Sequence, residues 1–153
     1  MAAHTIQFTQ EQARRLSDVT PEAWRHWRSI VPHLNGKRGK AARFSIGDIV
    51  ALSVMHHAVH DLGASVARLS SGFEMLCKTL GPLRPTAMAD MVALVGPTSA
   101  ALVSVDETMA GWPPFAVAVP CRPIVERLAS TTFEAIPDVQ PPLPFAPRVV
   151  RRG

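Results

Sequence analysis

The chain has 153 residues, 47% of them apolar and 18% charged, with a net charge of +4, so a packed core is within reach and global disorder is excluded. No apolar stretch approaches the ~18 residues of a membrane span, and Met1 to Gln10 has neither the charged lead nor the apolar run of a secretory signal. Cys77 and Cys121 lie far apart and form no Cys-x-x-Cys pair, which argues against a disulfide framework or a cysteine zinc site and fits a reducing cytoplasm.

The charge is unevenly placed. Residues 1–80 hold ten Lys/Arg against six Asp/Glu, whereas residues 81–153 hold six against six. Within residues 14–43 there are eight basic side chains (Arg14, Arg15, Arg25, Arg28, Lys37, Arg38, Lys40, Arg43) and two acids, Asp18 and Glu22. Such a concentration either attracts a polyanion or is an ordinary solvated face, and geometry decides between them.

In chain order, Thr9-Gln10-Glu11-Gln12 is a capping-box pattern that opens a first helix with Ala13 and Leu16 inward. Ser17-Asp18-Val19 breaks it. Thr20-Pro21 starts a second helix, because Thr caps and Pro suits the first helical position. This helix runs from Pro21 to Ile30, with Ala23, Trp24, Trp27 and Ile30 on its apolar face and Glu22, Arg25 and Arg28 on the other. Two short helices joined by a tight turn form a helix-turn-helix pattern. Pro32 ends the second helix, and Asn35 to Phe44 reads as a tight loop or hairpin with a basic tip between glycines. Ser45 caps a third helix, Ile46 to Asp61, with Ile49, Leu52, Met55 and Val59 in its stripe. Gly63 is its expected C′ residue and Ser65 the next cap. A fourth helix carries Val66, Leu69, Phe73, Leu76 and Leu80, and Gly81-Pro82 stops it.

This order of parts resembles the DNA-binding domain of the MerR family over about Phe8 to Leu69, roughly two fifths of the chain. Val19-Thr20-Pro21-Glu22-Ala23-Trp24-Arg25-His26-Trp27 is similar to that family's cap, recognition helix and Arg-aromatic-aromatic run. Gly36 to Phe44 resembles its wing, and Asp48, Leu52, Met55, Leu62, Gly63 and Ser65 stand where the family has its Asp, its core positions and its Leu-Gly-x-Ser turn. The chain departs from the pattern at Arg28, where the family often has Glu, and at Gly81-Pro82 and Pro85, which would break the long helix that usually follows. No cysteine cluster lies beyond that point, so the resemblance does not extend to metal sensing.

The resemblance implies a fold that is mainly α with a small β element, a winged helix-turn-helix followed by a small α+β region. It places the second helix in the major groove and the loop along the DNA backbone or in the minor groove. The DNA-binding residues are then Thr20, Glu22, Arg25, His26, Arg28, Lys37, Arg38, Lys40 and Arg43. Arg25 is the candidate for a base or a bidentate phosphate contact, and His26 could reach the DNA backbone. Arg28, Lys37, Arg38, Lys40 and Arg43 would hold phosphates. Trp24 and Trp27 are expected in the core, since duplex bases are not open to stacking.

In the second half, Thr86 to Val95 is expected as a short helix with Met88, Met91, Val92 and Val95 inward. Ala101–Val105 and Phe115–Val119 are β-rich runs expected to pair antiparallel, joined by Asp106 to Pro114. Pro123 to Phe133 reads as a helix. The expected organisation is residues 1–80 as the DNA-binding domain, 81–136 as a small α+β region for dimerisation or partner binding, and 137–153 as a Pro-rich basic tail. Two strands and two helices would be marginal alone, so the second half should pack on the first or on another copy.

His56 and His60 stand one helical turn apart, a chelating spacing, but no third ligand is apparent nearby and no metal or cofactor is assigned. No Gly-rich phosphate loop or Ser/His/Asp spacing points to an enzyme. The reading is a bacterial or phage transcriptional regulator, dimeric, cytoplasmic and nucleoid-associated, with double-stranded DNA as partner and RNA polymerase or another regulator as further candidates. The alternatives are an architectural, recombination or phage DNA-packaging accessory factor, and a protein-interaction module with incidental DNA affinity.

Overall fold

The computed structural model describes residues 6–37, 39–106 and 115–135. Arg38, the connection 107–114 and the Pro-rich stretch 137–153 lie outside them. The described chain is mixed α/β: α1 (Gln10–Leu16), α2 (Pro21–Ile30), α3 (Pro32–Gly36), α4 (Ile46–His56), a π turn (His57–Asp61), α5 (Ser70–Leu80), α6 (Pro85–Met88), β1 (Met91–Val95), β2 (Ala100–Ser104), β3 (Val117–Pro120) and α7 (Arg122–Ala135).

Local chemistry accounts for the first helices. The Thr9 hydroxyl accepts from Gln12 N–H while the Gln12 side chain accepts from Thr9 N–H, the reciprocal box expected for α1. Thr20 accepts from Ala23 N–H, and Pro21 occupies the first turn of α2. Between them Asp18 takes a positive φ of 59°, which the short polar Asp tolerates better than most residues. Arg14 fixes this turn: its guanidinium donates to Val19 O at 2.9 Å, satisfying a carbonyl that α2 leaves without a helical partner.

The helix centre is α4, whose residues Gly47 to Met55 are all buried. Such a helix needs a neighbour on every side, and α1, α5 and α7 supply them. Its hydrogen bonding slips by one residue at His57–Asp61, closing Leu62 N–H on His57 O at 3.1 Å. Gly63 follows with φ 68°, the left-handed C′ expected there. Residues 66–69 form a turn rather than helix, so the fourth expected helix begins at Ser70.

The second half departs more from expectation. The run Met91-Val92-Ala93-Leu94-Val95, expected within a helix, is the central strand of a three-stranded antiparallel sheet of order β2-β1-β3. Only Pro85–Met88 is helical there. The expected β2–β3 pair is likewise replaced: both strands pair with β1 and neither with the other. The cause is physical. A buried five-residue apolar run carries no periodicity that separates helix from strand, and its β-branched Val92 and Val95 favour the pleated surface.

One continuous cluster of buried side chains runs from Phe8 through Trp24, Phe44, Leu52 and Phe73 to Ala93, Val119, Ile124 and Leu128. The sheet joins it through Ala93, Val95, Ala100, Leu102, Val117 and Val119, all on one face. The core therefore crosses residue 80 without interruption. At two points backbones meet with no room for a side chain: an added Cβ at Gly47 would stand 1.9 Å from Leu80 O, and one at Gly72 would stand 2.0 Å from Gly96 O. Gly47→Ala is expected to cost about 3 kcal/mol, lowering Tm by roughly 6–12 °C for a chain of this size. Gly36→Ala, where an added Cβ meets nothing within 4 Å, should stay within about 1 kcal/mol of the parent. Equal melting temperatures for the two variants would show that the α4–α5 approach is not tight.

Candidate nucleic-acid interface

The amphipathic α2 lies with Trp24 and Trp27 inward, each 2% exposed, which places both tryptophans in the core as expected and is worth roughly 1.5–3 kcal/mol each. Trp24 meets the edge of Phe44 at a centroid distance of 5.7 Å, a favourable T-shaped contact. The opposite face presents Glu22, Arg25, His26 and Ser29 to solvent, with Arg28 half-buried beside them. Arg25 lies 3.6 Å from Glu22, both more than 70% exposed, and its Nε reaches Pro21 O at 3.4 Å. An ion pair this exposed is worth under about 1 kcal/mol and is readily exchanged for another anion. Thr20 is committed to its cap.

The segment expected as a wing is a turn. Gly39 has φ 81° and Ala42 N–H closes on Gly39 O at 3.2 Å. The returning chain pairs not with its own outgoing arm but with the N-terminal segment, through Phe8 N–H to Phe44 O (2.8 Å) and Phe44 N–H to Phe8 O (2.9 Å). Lys40 and Arg43 are exposed at this turn. The Arg43 guanidinium folds back on Lys40 O and Ala42 O at 2.9 and 3.0 Å, which stiffens the loop that carries it. No hydrogen bond or ion pair joins the α2 group to the 37–43 group among the described residues; the Trp24–Phe44 contact links their supports.

Two of the eight cations in residues 14–43, Arg14 and Lys37, are committed inside the protein, and a third, Arg15, is paired at the surface. Arg14 and Arg15 both pair with Glu11, at 2.7 and 2.9 Å. Lys37, expected as a phosphate contact, instead donates to Asp48 Oδ2 at 2.7 Å and to Arg43 O at 3.0 Å, with its ammonium 4.9 Å over the Phe44 ring. Among the described residues Arg28 and Lys40 have no ion-pair partner, and Arg25 has only the exposed Glu22. Arg38 lies outside the described residues. Sequence reasoning took Asp48 only as a capping and family residue and missed its role as the anchor of Lys37; it also missed the Asp18–Arg127 pair at 2.8 Å, which ties the α1–α2 turn to α7.

Asp48 has a side chain 9% exposed. Burial alone would raise its pKa; the His33 ring beside it, the Lys37 hydrogen bond, the Ser45 N–H and the Lys37 charge outweigh that and hold the carboxyl at about 2. His33 Nε2 stands 3.7 Å from Oδ1, an electrostatic contact longer than a hydrogen bond. The Ser45 N–H donates to Oδ2 at 2.8 Å while the Ser45 hydroxyl accepts from Asp48 N–H and donates to Gly81 O at 2.6 Å. One carboxylate thus joins α3, the basic turn and the start of α4.

Other titratable groups assemble less. The exposed Asp61 accepts from His57 Nδ1 at 2.5 Å and His60 Nδ1 at 2.9 Å, and its carboxyl is held at about 2 by those two bonds. His56 stacks on His60 at 5.0 Å, and burial, then the neighbouring His60 and His57, lowers its pKa. The described residues contain no group of three or more His, Cys, Asp or Glu arranged to hold a metal ion. Cys77 and Cys121 are buried and unbridged, and burial pushes the Cys77 thiol up to about 12, where it is inert at neutral pH. An open polar groove of about 400 Å³ lies against Lys37, Arg43, Asp48 and Lys78.

Because the folded pKa of Asp48 is depressed, its contribution is complete above the unfolded value near 4 and is lost as pH falls from about 4 to about 2, amounting to about 2 kcal/mol. Asp48→Asn should lower stability at pH 7 by about that amount and flatten the stability profile between pH 4 and 2, read by denaturant unfolding at several pH values. Parallel profiles for the two proteins would remove Asp48 as the acid-sensitive group.

No family model, curated protein or solved structure matches the chain. No α helix among the described residues is long and apolar enough to cross a membrane.

Proposed function

We propose that the chain is a sequence-specific double-stranded DNA-binding protein, a transcriptional regulator of bacterial or phage type acting as a homodimer, with α2 as the element that enters the major groove. The observation that carries this reading is the solvent face of α2. Glu22, Arg25, His26 and Ser29 stand on one side of a helix whose other side is fixed by two buried tryptophans. Arg14 locks the turn before it. A rigid support of this kind keeps side chains in register with base edges at little entropic cost.

The geometry divides the roles. Arg25 is long and exposed, held only by the surface pair with Glu22 and a long bond to Pro21 O, so it can turn to a guanine edge or a phosphate with two hydrogen bonds. Lys40 and Arg43 at the turn, and Arg28 in the last turn of α2, supply phosphate contacts. Lys37 is removed from the DNA-contacting set, because its ammonium is committed to Asp48 and Arg43 O.

A second reading, an architectural or recombination factor on the same fold, draws on one observation. After α5 ends at Leu80 the chain turns into a small sheet rather than a long helix, so the usual spacer between two half-sites has no counterpart among the described residues.

Selection of bound duplexes from a random pool at near-physiological salt separates the two readings. A recovered inverted repeat supports the regulator, and binding without a motif supports the architectural factor. With the recovered site, Arg25→Ala should weaken binding by about 1–3 kcal/mol and relax preference at one position. Lys40→Ala should instead reduce the slope of log affinity against log salt by about 0.9 and leave the preference intact. No binding by the parent protein at near-physiological or at lower salt would overturn both readings.

A further inference from the structure

The two edges of the sheet differ in character. In the β1–β2 register, Gly96 N–H donates to Ser99 O (2.8 Å) and Val105 N–H to Asp90 O (3.0 Å). The hydrogen-bonded pairs between them are therefore Leu94–Ala101 and Val92–Val103, and the main-chain groups of Ala100, Leu102 and Ser104 point away from β1. Ala100 N–H reaches Met75 Sδ at 3.3 Å. Among the described residues, no acceptor meets the outward N–H of Leu102 or Ser104.

At the other edge, Cys121 N–H donates to Met91 O at 3.0 Å, so Pro120, opposite Val92, lies in a non-hydrogen-bonded pair. Its missing N–H falls on the outward side, a common way of closing an edge, and the π turn packs near this strand. β2 is covered at one end only, where α5 packs beside it and Met75 Sδ takes the Ala100 N–H. Its sequence Ala-Ala-Leu-Val-Ser contains no charge, proline or glycine, its register with β1 is unbroken, and Val105, 60% exposed, continues it. Edges left in this state are templates for another strand.

We infer that this edge is the contact between two copies of the chain: β2 pairs antiparallel with β2 of a second copy about a two-fold axis at Leu102, giving a continuous six-stranded sheet. The occupant must be an extended, uncharged strand with donors and acceptors in step. A second β2 meets that requirement. About Leu102 the outward groups of Ala100 fall opposite those of Ser104, with the Ala100 N–H exchanging Met75 Sδ for the Ser104 carbonyl, Leu102 meets itself, and on the face away from α5 Ala101 meets Val103. The chain's own residues 137–153 are a poor match, since prolines at 137, 141, 142, 144 and 147 remove donors throughout. A charged peptide would set its charges against Ala101, Val103 and Val105. The interface deepens the homodimer proposed above and supplies its two-fold axis, yet it is tested without DNA, so either can fail alone.

A five-residue strand pair is a small contact, of the size associated with transient complexes. Sedimentation velocity over roughly 1–500 µM, a range suited to such contacts, should show a monomer giving way to a dimer. Ser104→Pro removes one outward donor per copy and should weaken dimerisation at least tenfold. Ala101→Lys combined with Val103→Lys sets like charges directly opposite one another and should abolish it. In the parent protein the Leu102 amide should exchange quickly when dilute and slowly when concentrated, a readout that does not depend on any variant folding. A monomer throughout the range, or a dimer that both variants leave intact while the Leu102 amide exchanges quickly, would overturn the inference.

Discussion

A carboxylate taken out of water must be met by cations and donors or it takes up a proton, and Asp48 is met from three elements. Lys37 approaches from the basic turn, the Ser45 N–H from the cap of its own helix, and His33 from α3. The Ser45 hydroxyl then carries the arrangement to Gly81 at the end of α5. Because Lys37 also holds Arg43 O and lies over Phe44, the turn bearing Lys40 and Arg43 is fixed to the buried α4. Phe44 passes that constraint to Trp24 and so to α2. Removing the carboxylate would loosen the basic turn directly and α2 through Phe44 and Trp24.

This organisation changes how the basic half of the chain is understood. Counted along the sequence, residues 14–43 form a dense positive field; in space, Arg14 and Lys37 belong to the scaffold and Arg15 is paired with the exposed Glu11. Arg14 is a brace for the α1–α2 turn rather than a surface charge. What is left for a polyanion is a smaller set on two supports, Arg25 and Arg28 with α2 and Lys40 and Arg43 on the turn. A small set on rigid supports favours geometry over bulk charge as the source of any selectivity.

The sequence was most legible where local chemistry is sufficient. Thr9, Thr20 and Ser45 cap the helices they precede, Pro21 starts α2, and Gly63 stands at the left-handed position beyond α4 and its π turn. Legibility fell where a decision depends on distant partners. Met88, Met91, Val92 and Val95 satisfy helical spacing, yet β1 exists because β2 and β3 take up its main-chain groups from both sides. β2 and β3, consecutive in sequence, do not pair with each other, against the common tendency for neighbours to adjoin. The candidate site shows the same division. The α2 face could be read from its apolar period, whereas the fate of Lys37 could not, because its partner lies eleven residues away on another element. The slip to π geometry at His57–Asp61 leaves no mark in the hydrophobic pattern.

The central claim is that a fixed scaffold offers one face of α2 and the neighbouring turn to double-stranded DNA. Backbone amide shifts of isotope-labelled protein titrated with a short duplex test it residue by residue. The account predicts shifts concentrated at Glu22, Arg25, His26 and Ser29 and at Lys40 to Arg43, with the amides of β1 and α7 unmoved. Shifts confined to the sheet and α7, or none at any duplex concentration, would contradict it.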